Sequence, residues 1–596
     1  MRYHFTTLAL AALGSQIDAA VLRSEFQAAP NGWILTSTPS KDQSITLTVA
    51  LQQQNEDAFY SKLDQLSSPH HASYASWMGK ADVDSLLKPS SASKTAVLSW
   101  LTSNGVKNIK SDDFYIHFNT KIETANKLLS AKYQSYQQDG TTKIRTLSYS
   151  LPEDIDPHIA VVSPTTYFGK PTAARVTFAP SFRQQIQGSA AADNCSLGLT
   201  PSCIKSYYNI NYTPSTKTKS RMAFASFLNE SALHSDLTLY EQKNNLPAEQ
   251  FNTILINGGV DNQDPNYPAV GEANLDAQNM IATGQPIPLT QFITGGEPPF
   301  ITNIDETVNT NEPWLQYLDY LLSKDNKDLP QVISHSYGDE EVTVPVDYAK
   351  TVCSKFAQLG ARGITVLSSS GDLGVGAGCK TANNETRFNA IFPTTCPYVT
   401  SIGGTSVPRA NLTLSFDNEG AWPGSSGGFS DIFPRPIWQF LAVETYLRRY
   451  AGNKTTLFAP YVNFNGRGFP DVSAIAGLPG YPIFDNGVVG LSGGTSASSP
   501  VWGAIIALLN DARFNVGKPS LGFVSPFLYT FGLYGLRDIK IRAATGCNGV
   551  NFQNGQPVPG AGIVPGAAWN ATTGWDPVTG LGVPDFEKLK TVALLI

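Results

Sequence analysis

The sequence predicts an α/β protein in which a parallel sheet is covered by helices, preceded by a smaller α+β unit. After about residue 195, strand-like apolar runs alternate with helix-like ones, which is typical of a parallel sheet with helical crossovers. Before about residue 180, strand patterns are interspersed with short amphipathic helices. At 596 residues the chain is too long for one compact core, so two or more folded units are expected.

The first unit spans residues 21 to about 179 and shows no group of reactive side chains. Its apolar spacing predicts helices over residues 58–66, 81–88, 93–101 and 122–129, and strands over residues 44–52, 114–118 and 159–162. Taken alone, this pattern indicates a packing or binding module. Residues 180–194 lack periodicity and are expected to be an exposed linker.

In the second unit the predicted strands and helices alternate along the chain. Strands are expected over residues 253–257, 331–334 and 363–368, and helices over residues 273–283, 348–359 and 502–510. Helices between consecutive strands are the connections that a parallel sheet requires.

Composition and charge exclude several classes of protein. The chain is 41% hydrophobic and 15% charged, as ordinary globular proteins are. A net charge of −6 without any block of Lys or Arg gives no indication of a nucleic acid or an anionic membrane as partner. No internal apolar run reaches the roughly 18 residues of a membrane span.

Three features predict secretion. Arg2 and His4 precede the apolar run Phe5–Leu13, and Ala19 or Ala20 is a plausible cleavage point, so residues 1–20 are predicted to be a signal peptide. Six cysteines fit an oxidising compartment; Cys195 and Cys203 can close a small loop, whereas spacing leaves the other pairings open. The Asn-x-Ser/Thr sequons, which predict exposed and glycosylated positions, are at Asn194, Asn211, Asn229, Asn384, Asn411, Asn453 and Asn570.

A candidate serine nucleophile lies in the glycine-rich stretch from Gly490 to Pro500. Glycines permit positive φ and close approach of a substrate. Small residues around Ser496 lead into the apolar helical run 502–510, which would place the hydroxyl at a positive helix N-terminus. The alternative is an ordinary helix cap, with Ser496 or Ser498 at the N-cap position.

A serine nucleophile needs a base, and the chain offers few histidines for this role. Of seven histidines, only His234 and His335 follow the linker, and both are expected to be structural. Glu272 and Asp276 share one face of a predicted helix, where two ionised carboxylates repel each other by about 0.2–0.5 kcal/mol. Sharing one proton would relieve the repulsion and raise one pKa, although a solvated acidic face is the alternative.

A third acid, Asp372, follows the apolar run 363–368, and groups at the carboxyl end of such a strand are often functional. Asp372 is either a turn residue or, when protonated, a donor to a developing oxyanion.

These residues together resemble the sedolisin family of serine-carboxyl peptidases. The resemblance rests on Glu272-x-x-x-Asp276, Ser370-Gly371-Asp372 and Gly494-Thr495-Ser496-x-Ser498-x-Pro500, in that order, and covers nearly the whole chain. It extends to the segments 311–314, 467–471 and 574–582, where it is closest to fungal secreted tripeptidyl-peptidases. The resemblance implies a subtilisin-like catalytic domain over residues 191–596 and a pro-domain with linker over residues 21–190.

The resemblance also implies the role of each site residue. Ser496 is expected to be the nucleophile, Glu272 its base, Asp276 the group that orients Glu272, and Asp372 the oxyanion donor. An acid optimum follows, because Asp372 must hold a proton. One Ca²⁺ site is also implied. Its expected ligands come from a pair of C-terminal segments and are Asp538, Ile539, Thr572, Gly574 and Asp576.

Two carboxylates with backbone carbonyls are hard oxygen ligands that suit Ca²⁺. Residues 540–545 replace the shorter polar turn that is usual in the family, so this loop departs from the family pattern while the expected ligands are present.

The expected protein is a secreted, monomeric, acid-acting peptidase that is made as a zymogen. Its partners would be peptide and protein substrates and its own pro-domain as an intramolecular inhibitor. Removal of tripeptides from free N-termini is the activity that the resemblance favours. The alternatives are an acid endopeptidase of the same family, an inert secreted binding protein on the same fold, and a neutral Ser-His enzyme.

Overall fold

The structure is a computed structural model that describes residues 20–26, 29, 33–138, 141–166, 176–177, 194–296, 312–381 and 383–596. The predicted signal peptide and the predicted linker therefore lie almost entirely outside the described residues. The chain forms two compact units. The first comprises residues 1–29, 34–53 and 89–166, and the second comprises residues 30–33, 54–88 and 167–596.

The elements up to residue 166 agree with the predicted α+β pattern. The helices are α1 (Glu56–Ser67), α2 (Lys80–Leu87), α3 (Ser91–Ser103) and α4 (Ile122–Leu128). The strands are β1 (Ala20–Glu25), β2 (Ile34–Ser37), β3 (Ser44–Leu51), β4 (Lys110–Ser111), β5 (Tyr115–Lys121), β6 (Gln134–Gln138), β7 (Thr141–Arg145), β8 (Ser148–Pro152) and β9 (Ile159–Ser163). In the first unit the antiparallel sheet β4-β5-β3-β9 packs its apolar side chains with those of α3 and α4.

The elements from residue 176 onward alternate between strand and helix in the first half. The strands are β10 (Val176–Thr177), β11 (Met222–Ser226), β12 (Phe251–Ile256), β13 (Leu289–Thr294), β14 (Val332–His335), β15 (Asp339–Glu340), β16 (Thr365–Ser369), β17 (Ile391–Phe392), β18 (Thr400–Ser406), β19 (Gly420–Ala421), β20 (Gly428–Pro434), β21 (Gly466–Phe469), β22 (Val472–Ile475), β23 (Tyr481–Asp485), β24 (Val488–Gly493), β25 (Leu536–Arg537), β26 (Ala543–Thr545), β27 (Ala568–Asn570) and β28 (Val583–Pro584).

The helices of this part include the two that carry most of the predicted site. They are α5 (Pro201–Tyr207), α6 (His234–Asn244), α7 (Gly271–Gly284), α8 (Trp314–Ser323), α9 (Val346–Ala361), α10 (Phe440–Arg449), α11 (Lys454–Leu457), α12 (Thr495–Asn515), α13 (Ser525–Leu528) and α14 (Phe586–Leu595).

The largest sheet has the order β12-β13-β11-β14-β16-β18, with β19 and β22 both paired to β18. All of these pairings are parallel except β18 with β19. Helices cover both faces: α7 and α12 pack in one buried cluster, and α8 and α9 pack in the other. The predicted fold class, a helix-covered parallel sheet after an α+β unit, is confirmed.

One predicted helix face is also confirmed. In α1 the predicted apolar face is buried through Phe59, Leu63 and Leu66. The residues of α1 and α2 form part of the second unit, where they pack against α9. The domain boundaries at residues 20 and 190 stay a prediction.

All six cysteines are paired, as an oxidising compartment would require. Cys195 bonds to Cys203 across the expected small loop, and the other two disulfides join Cys353 to Cys396 and Cys379 to Cys547. The last closes a separation of 168 residues. The asparagine of each predicted sequon is exposed. Among the described residues no helix combines the length and apolarity needed to cross a membrane.

Candidate active site

Ser496 is the second residue of α12 and is fully buried. The preceding Gly494 is the N-cap and has a φ of 100°, a conformation that glycine adopts without a steric penalty. A Cβ atom at this position would overlap Oδ2 of Asp372, so glycine is also required by the close approach of that carboxyl. The expected placement of Ser496 at a helix N-terminus is thus what the structure shows, with the helix beginning at Thr495 rather than near residue 502.

Helix α7 carries Glu272 and Asp276 one turn apart, and both side chains are buried. This helix packs closely beside α12: an added Cβ at Gly284 would lie 3.1 Å from Cβ of Ala504, and one at Gly503 would lie 3.3 Å from Cε of Met280. Small residues therefore permit the close approach of the helices. The alternative of a solvated acidic face is wrong, because neither carboxyl faces solvent.

Ser336 connects the two helices at the end of β14. Its hydroxyl donates to Oδ1 of Asp276 at 2.6 Å and lies 3.3 Å from the carbonyl oxygen of Ser496. In return, the Ser496 hydroxyl donates to the carbonyl oxygen of Ser336 at 3.2 Å. Ser496 and Asp276 are therefore both hydrogen-bonded to Ser336, which lies at the carboxyl end of a parallel strand.

Glu230 lies at the N-terminus of α7, where its Oε2 accepts hydrogen bonds from the N–H groups of Glu272 (2.9 Å) and Ala273 (3.2 Å). A carboxylate is favourable at this position because it satisfies free N–H groups and faces the positive end of the helix dipole. Burial raises the pKa of Asp276 well above its usual range, and the charge of Glu230 acts in the same direction, whereas the Ser336 hydrogen bond opposes it.

Asp372 follows β16 and contacts the residue before Ser496. Its Oδ1 accepts hydrogen bonds from the N–H (2.8 Å) and the hydroxyl (2.7 Å) of Thr495. Its Oδ2 is buried and has no hydrogen-bond partner among the described residues. Burial raises the pKa of Asp372 to about 6, although both bonds from Thr495 act in the opposite direction. At pH 5 and below this group is therefore mostly a carboxylic acid, whose proton belongs on Oδ2 because Oδ1 already accepts two hydrogen bonds.

The histidines after the linker are structural. The ring of His335 is fully buried, with Nδ1 3.0 Å from the carbonyl oxygen of Leu367 and Nε2 3.1 Å from the hydroxyl of Tyr317. Burial lowers its pKa to about 3, so it is neutral in mild acid. The ring of His234 stacks on Phe251 with centroids 4.1 Å apart. Neither ring bonds to Ser496 among the contacts of the described residues.

Both carboxyls of the predicted calcium site bond to the turn of residues 572–576. Oδ2 of Asp538 accepts from the N–H of Gly574 (3.0 Å), and Oδ2 of Asp576 accepts from the N–H of Thr572 (2.8 Å). Oδ1 of Asp538 is buried without a hydrogen-bond partner among the described residues. The donor set fits a hard cation, since both carboxyls reach the same turn. Lys540 lies 3.6 Å from Oδ2 of Asp538, so the divergent loop introduces a competing cation.

No cluster of three or more His, Cys, Asp or Glu side chains suited to a metal occurs in the part of the chain that the structure describes. Ile539, the remaining candidate, has a buried side chain and offers only its backbone carbonyl.

Sequence reasoning missed Ser336, Glu230 and Thr495. Ser336 and Glu230 each follow a parallel strand, β14 and β11, by at most four residues. The rule that drew attention to Asp372, that functional groups collect at the carboxyl ends of parallel strands, would have identified both. Thr495 lies within the glycine-rich motif, but its role depends on Asp372, which is 123 residues away in sequence.

Comparisons with known proteins identify the family of the chain. The profile of the pro-kumamolisin activation domain matches residues 31–168. The chain is 45% identical to "Tripeptidyl-peptidase sed4" of Aspergillus fumigatus over 96% of each chain, and 36% identical to "Tripeptidyl-peptidase SED2" of Arthroderma otae over 95% of each chain. Pseudomonas sedolisin, a serine-carboxyl proteinase, is 23% identical and superposes with a TM-score of 0.47 over 66% of this chain and 97% of its own.

The chain is therefore a serine peptidase precursor with an N-terminal activation domain. It belongs to the sedolisin family of serine-carboxyl peptidases, as the resemblance of its motifs implied.

Proposed function

We propose that this protein is a secreted, acid-acting peptidase that removes tripeptides from free peptide N-termini after its pro-domain has been released. The observation that carries the proposal is the burial of Ser496, Asp276 and Asp372 around one helix N-terminus, with Ser336 bonded to both Ser496 and Asp276. The tripeptidyl specificity is taken from the names of the fungal relatives.

In the proposed reaction Ser496 Oγ attacks the carbonyl carbon of the scissile peptide bond while Glu272 accepts its proton. The negative charge develops on the carbonyl oxygen, where the protonated Oδ2 of Asp372 and the N–H of Ser496 donate hydrogen bonds. Glu272 then gives the proton to the leaving amine as the C–N bond breaks. Water hydrolyses the resulting acyl-enzyme by the same sequence of proton transfers.

The role of Asp276 is to orient and tune Glu272 from one turn further along α7. Because its own pKa is well above the usual range, Asp276 is protonated in acid and can donate to Glu272. Two like carboxyls at this spacing titrate as a pair, in which one proton is shared and one group is left as the base. Acid pH is thus required twice, for Asp372 and for this pair.

The test uses the secreted precursor at about pH 4, near the ordinary pKa of an aspartate. Matched peptides with free and acetylated N-termini are offered after processing. Release of a tripeptide from the free peptide alone supports the proposal, whereas cleavage of both peptides indicates an acid endopeptidase. If correctly processed protein cleaves neither peptide, the remaining alternative is an inert binding protein on the same fold. A precursor with Ser496→Ala is expected to remain unprocessed and inactive, and residual activity would refute the nucleophile.

Calcium is proposed as a structural ion held by Asp538 and Asp576 with the carbonyls of Ile539, Thr572 and Gly574. A bound cation would pair with the free oxygen of Asp538 and fix the C-terminal turn. Chelation should lower the melting temperature of the wild type, because an ion that binds only the folded state stabilises it. Chelation should have no effect on Asp538→Asn if this site is responsible, and an equal fall in both proteins would place the ion elsewhere.

Secretion is proposed from the apolar N-terminal segment, the three disulfides and the exposed sequons. Digestion of the secreted protein with an endoglycosidase should reduce its mass, because the sequon asparagines are open to the glycosylation machinery. A monomer is expected for the mature enzyme, with its own pro-domain as inhibitor before activation. Light scattering of the precursor and the mature enzyme would measure both states.

A further inference from the structure

We propose that the indole of Trp77 anchors residues 54–88 to the catalytic part of the chain, in a slot formed by Gly363, Ser520 and Gly522. This segment lies inside the range that matches the activation domain, 31–168, yet it forms one compact unit with residues 167–596. The inference rests on the proposed function in one respect, that this segment is released at activation. It goes further by assigning the retention of the segment to one side chain and its binding site.

Two glycines that are distant in sequence form the walls of the slot. Gly363 and Gly522 have φ values of +81° and +60°, and an added Cβ at either would collide with the Trp77 ring. At Gly363 the new atom would lie 2.6 Å from Cδ1, and at Gly522 it would overlap Cζ2. The walls therefore fit a flat aromatic ring and leave no space for a side chain of their own.

The floor of the slot recognises the polar edge of the indole. Nε1 of Trp77 donates to the carbonyl oxygen of Ser520 at 2.9 Å, which satisfies the single donor of the ring. The hydroxyl of Ser520 donates to the carbonyl oxygen of Gly363 at 2.7 Å and so joins the floor of the slot to one of its walls. A phenylalanine ring could enter the slot but would leave the Ser520 carbonyl without this donor.

Backbone bonds continue the contact beyond the ring. The N–H of Met78 donates to the carbonyl oxygen of Ala361 at 2.9 Å, at the end of α9. The side-chain amide of Asn326 donates to the carbonyl oxygen of Met78 at 2.9 Å, and Arg362 donates to Oδ1 of the same amide at 2.7 Å. Both polar groups of Met78 are thus paired with the catalytic part, which fixes the depth to which Trp77 enters.

Helices α1 and α2 add an apolar surface beside the slot. Phe59, Leu63 and Val83 are buried in one cluster with Ala357, Ala361 and Phe523. The ring of Tyr60 stacks on Tyr398 with centroids 5.3 Å apart. These contacts add buried apolar area, whereas the slot fits the shape of the indole and accepts its hydrogen bond. An aromatic residue that fills such a pocket is typically where binding energy concentrates.

The geometry implies that the mature enzyme keeps a binding site for its own released segment. Removal of residues 54–88 would expose the indole slot together with the apolar surface of α9 and Phe523. The occupant that fits is this segment itself, because the slot matches the indole in shape and the flanking bonds match the Met78 backbone. Loss of Trp77 should therefore loosen the segment before activation and weaken any rebinding after it.

The first measurement is amide hydrogen exchange on the full-length chain carrying Ser496→Ala. This substitution prevents processing, so that a change in exchange reports the Trp77 contact and not cleavage of the chain. Adding Trp77→Ala should speed exchange at residues 361–363 and 520–522 by at least about tenfold, because the covering ring and its bonds are lost. Trp77→Phe should give an intermediate increase. The control is Trp100→Ala, a half-buried tryptophan of α3 in the other unit, which should leave exchange at these residues unchanged.

The second measurement is the rate of processing of the active precursor in acid, which should rise with Trp77→Ala and stay unaltered with Trp100→Ala. Unchanged exchange in Trp77→Ala, or an equal increase in Trp100→Ala, would overturn the anchor. If Trp77→Ala is not secreted, Trp77→Phe decides the question, because wild-type exchange in that variant would show that the indole bond is not used. An inactive protein with the expected exchange would refute the proposed function and leave the anchor standing.

Discussion

Replacement of Asp372 by asparagine separates the hydrogen-bonding role of this group from its titration. Asparagine keeps an acceptor at Oδ1 for Thr495 and places an N–H donor where Oδ2 lies against Gly494. With a pKa of about 6, about nine-tenths of the Asp372 side chain carries a proton at pH 5 and about one-tenth at pH 7. The wild-type rate should therefore fall about tenfold over this range from loss of the donor alone.

The asparagine variant should lack this fall, because its donor does not titrate. Asp372→Ala should lose the donor at every pH, and removal of one oxyanion donor costs about 10²–10³ in kcat. The assay is kcat/KM for a free N-terminal peptide from pH 3 to pH 7, with each variant precursor first processed by a trace of wild-type enzyme. If Asp372→Asn keeps the wild-type alkaline limb, or if Asp372→Ala loses less than about tenfold, Asp372 is not the oxyanion donor.

Two further predictions concern buried groups beside the site. Ser336→Ala removes the hydrogen bond that lowers the pKa of Asp276, so the step of the kcat/KM profile in which the Glu272/Asp276 pair loses its shared proton should move to higher pH; Ser334→Ala, on the same strand, should not move it. His335 has a folded pKa of about 3 and an unfolded value near 6.5, so the unfolded state binds more protons between these values and stability falls as the pH falls. Replacement by Gln should remove about 3 kcal/mol of the difference in unfolding free energy between pH 7 and pH 4, as measured by denaturant titration. An unchanged difference would show that His335 titrates normally.

Much of the fold could be predicted because its helices and strands have clear local patterns of apolar residues. The 3.6-residue spacing of Phe59, Leu63 and Leu66 identified the buried face of α1, and the alternation of strand-like and helix-like runs identified the parallel sheet. Helix α12 was located only in part, since its first turn consists of small residues without apolar periodicity. The contact observed in this turn is tertiary, since the N–H and the hydroxyl of Thr495 donate to Asp372, 123 residues away in sequence.

Some residues of the candidate site could likewise be predicted from local sequence, whereas others depend on tertiary contacts. Glu272 and Asp276 could be recognised as candidates because one helical turn separates them in sequence. Ser496 could be recognised because glycines precede it directly in the chain. The place of Ser336 after a strand could have marked it as a candidate, but its partners could not be predicted, because its bonds to Asp276 and Ser496 span 60 and 160 residues. The environment that raises the pKa of Asp372 is also tertiary, since burial is its first cause.

By itself the sequence determined the chemical groups, their order and the shortage of histidines, because composition and short spacings are properties of the chain. It also implied acid chemistry through the family resemblance. The tertiary structure decided which groups meet and which proton each holds, since desolvation and long-range hydrogen bonds exist only in the folded chain. It also decided that Trp77 of the activation domain lies between two glycines of the catalytic part. No sequence spacing encodes a slot whose walls are 159 residues apart and whose occupant comes from a third segment.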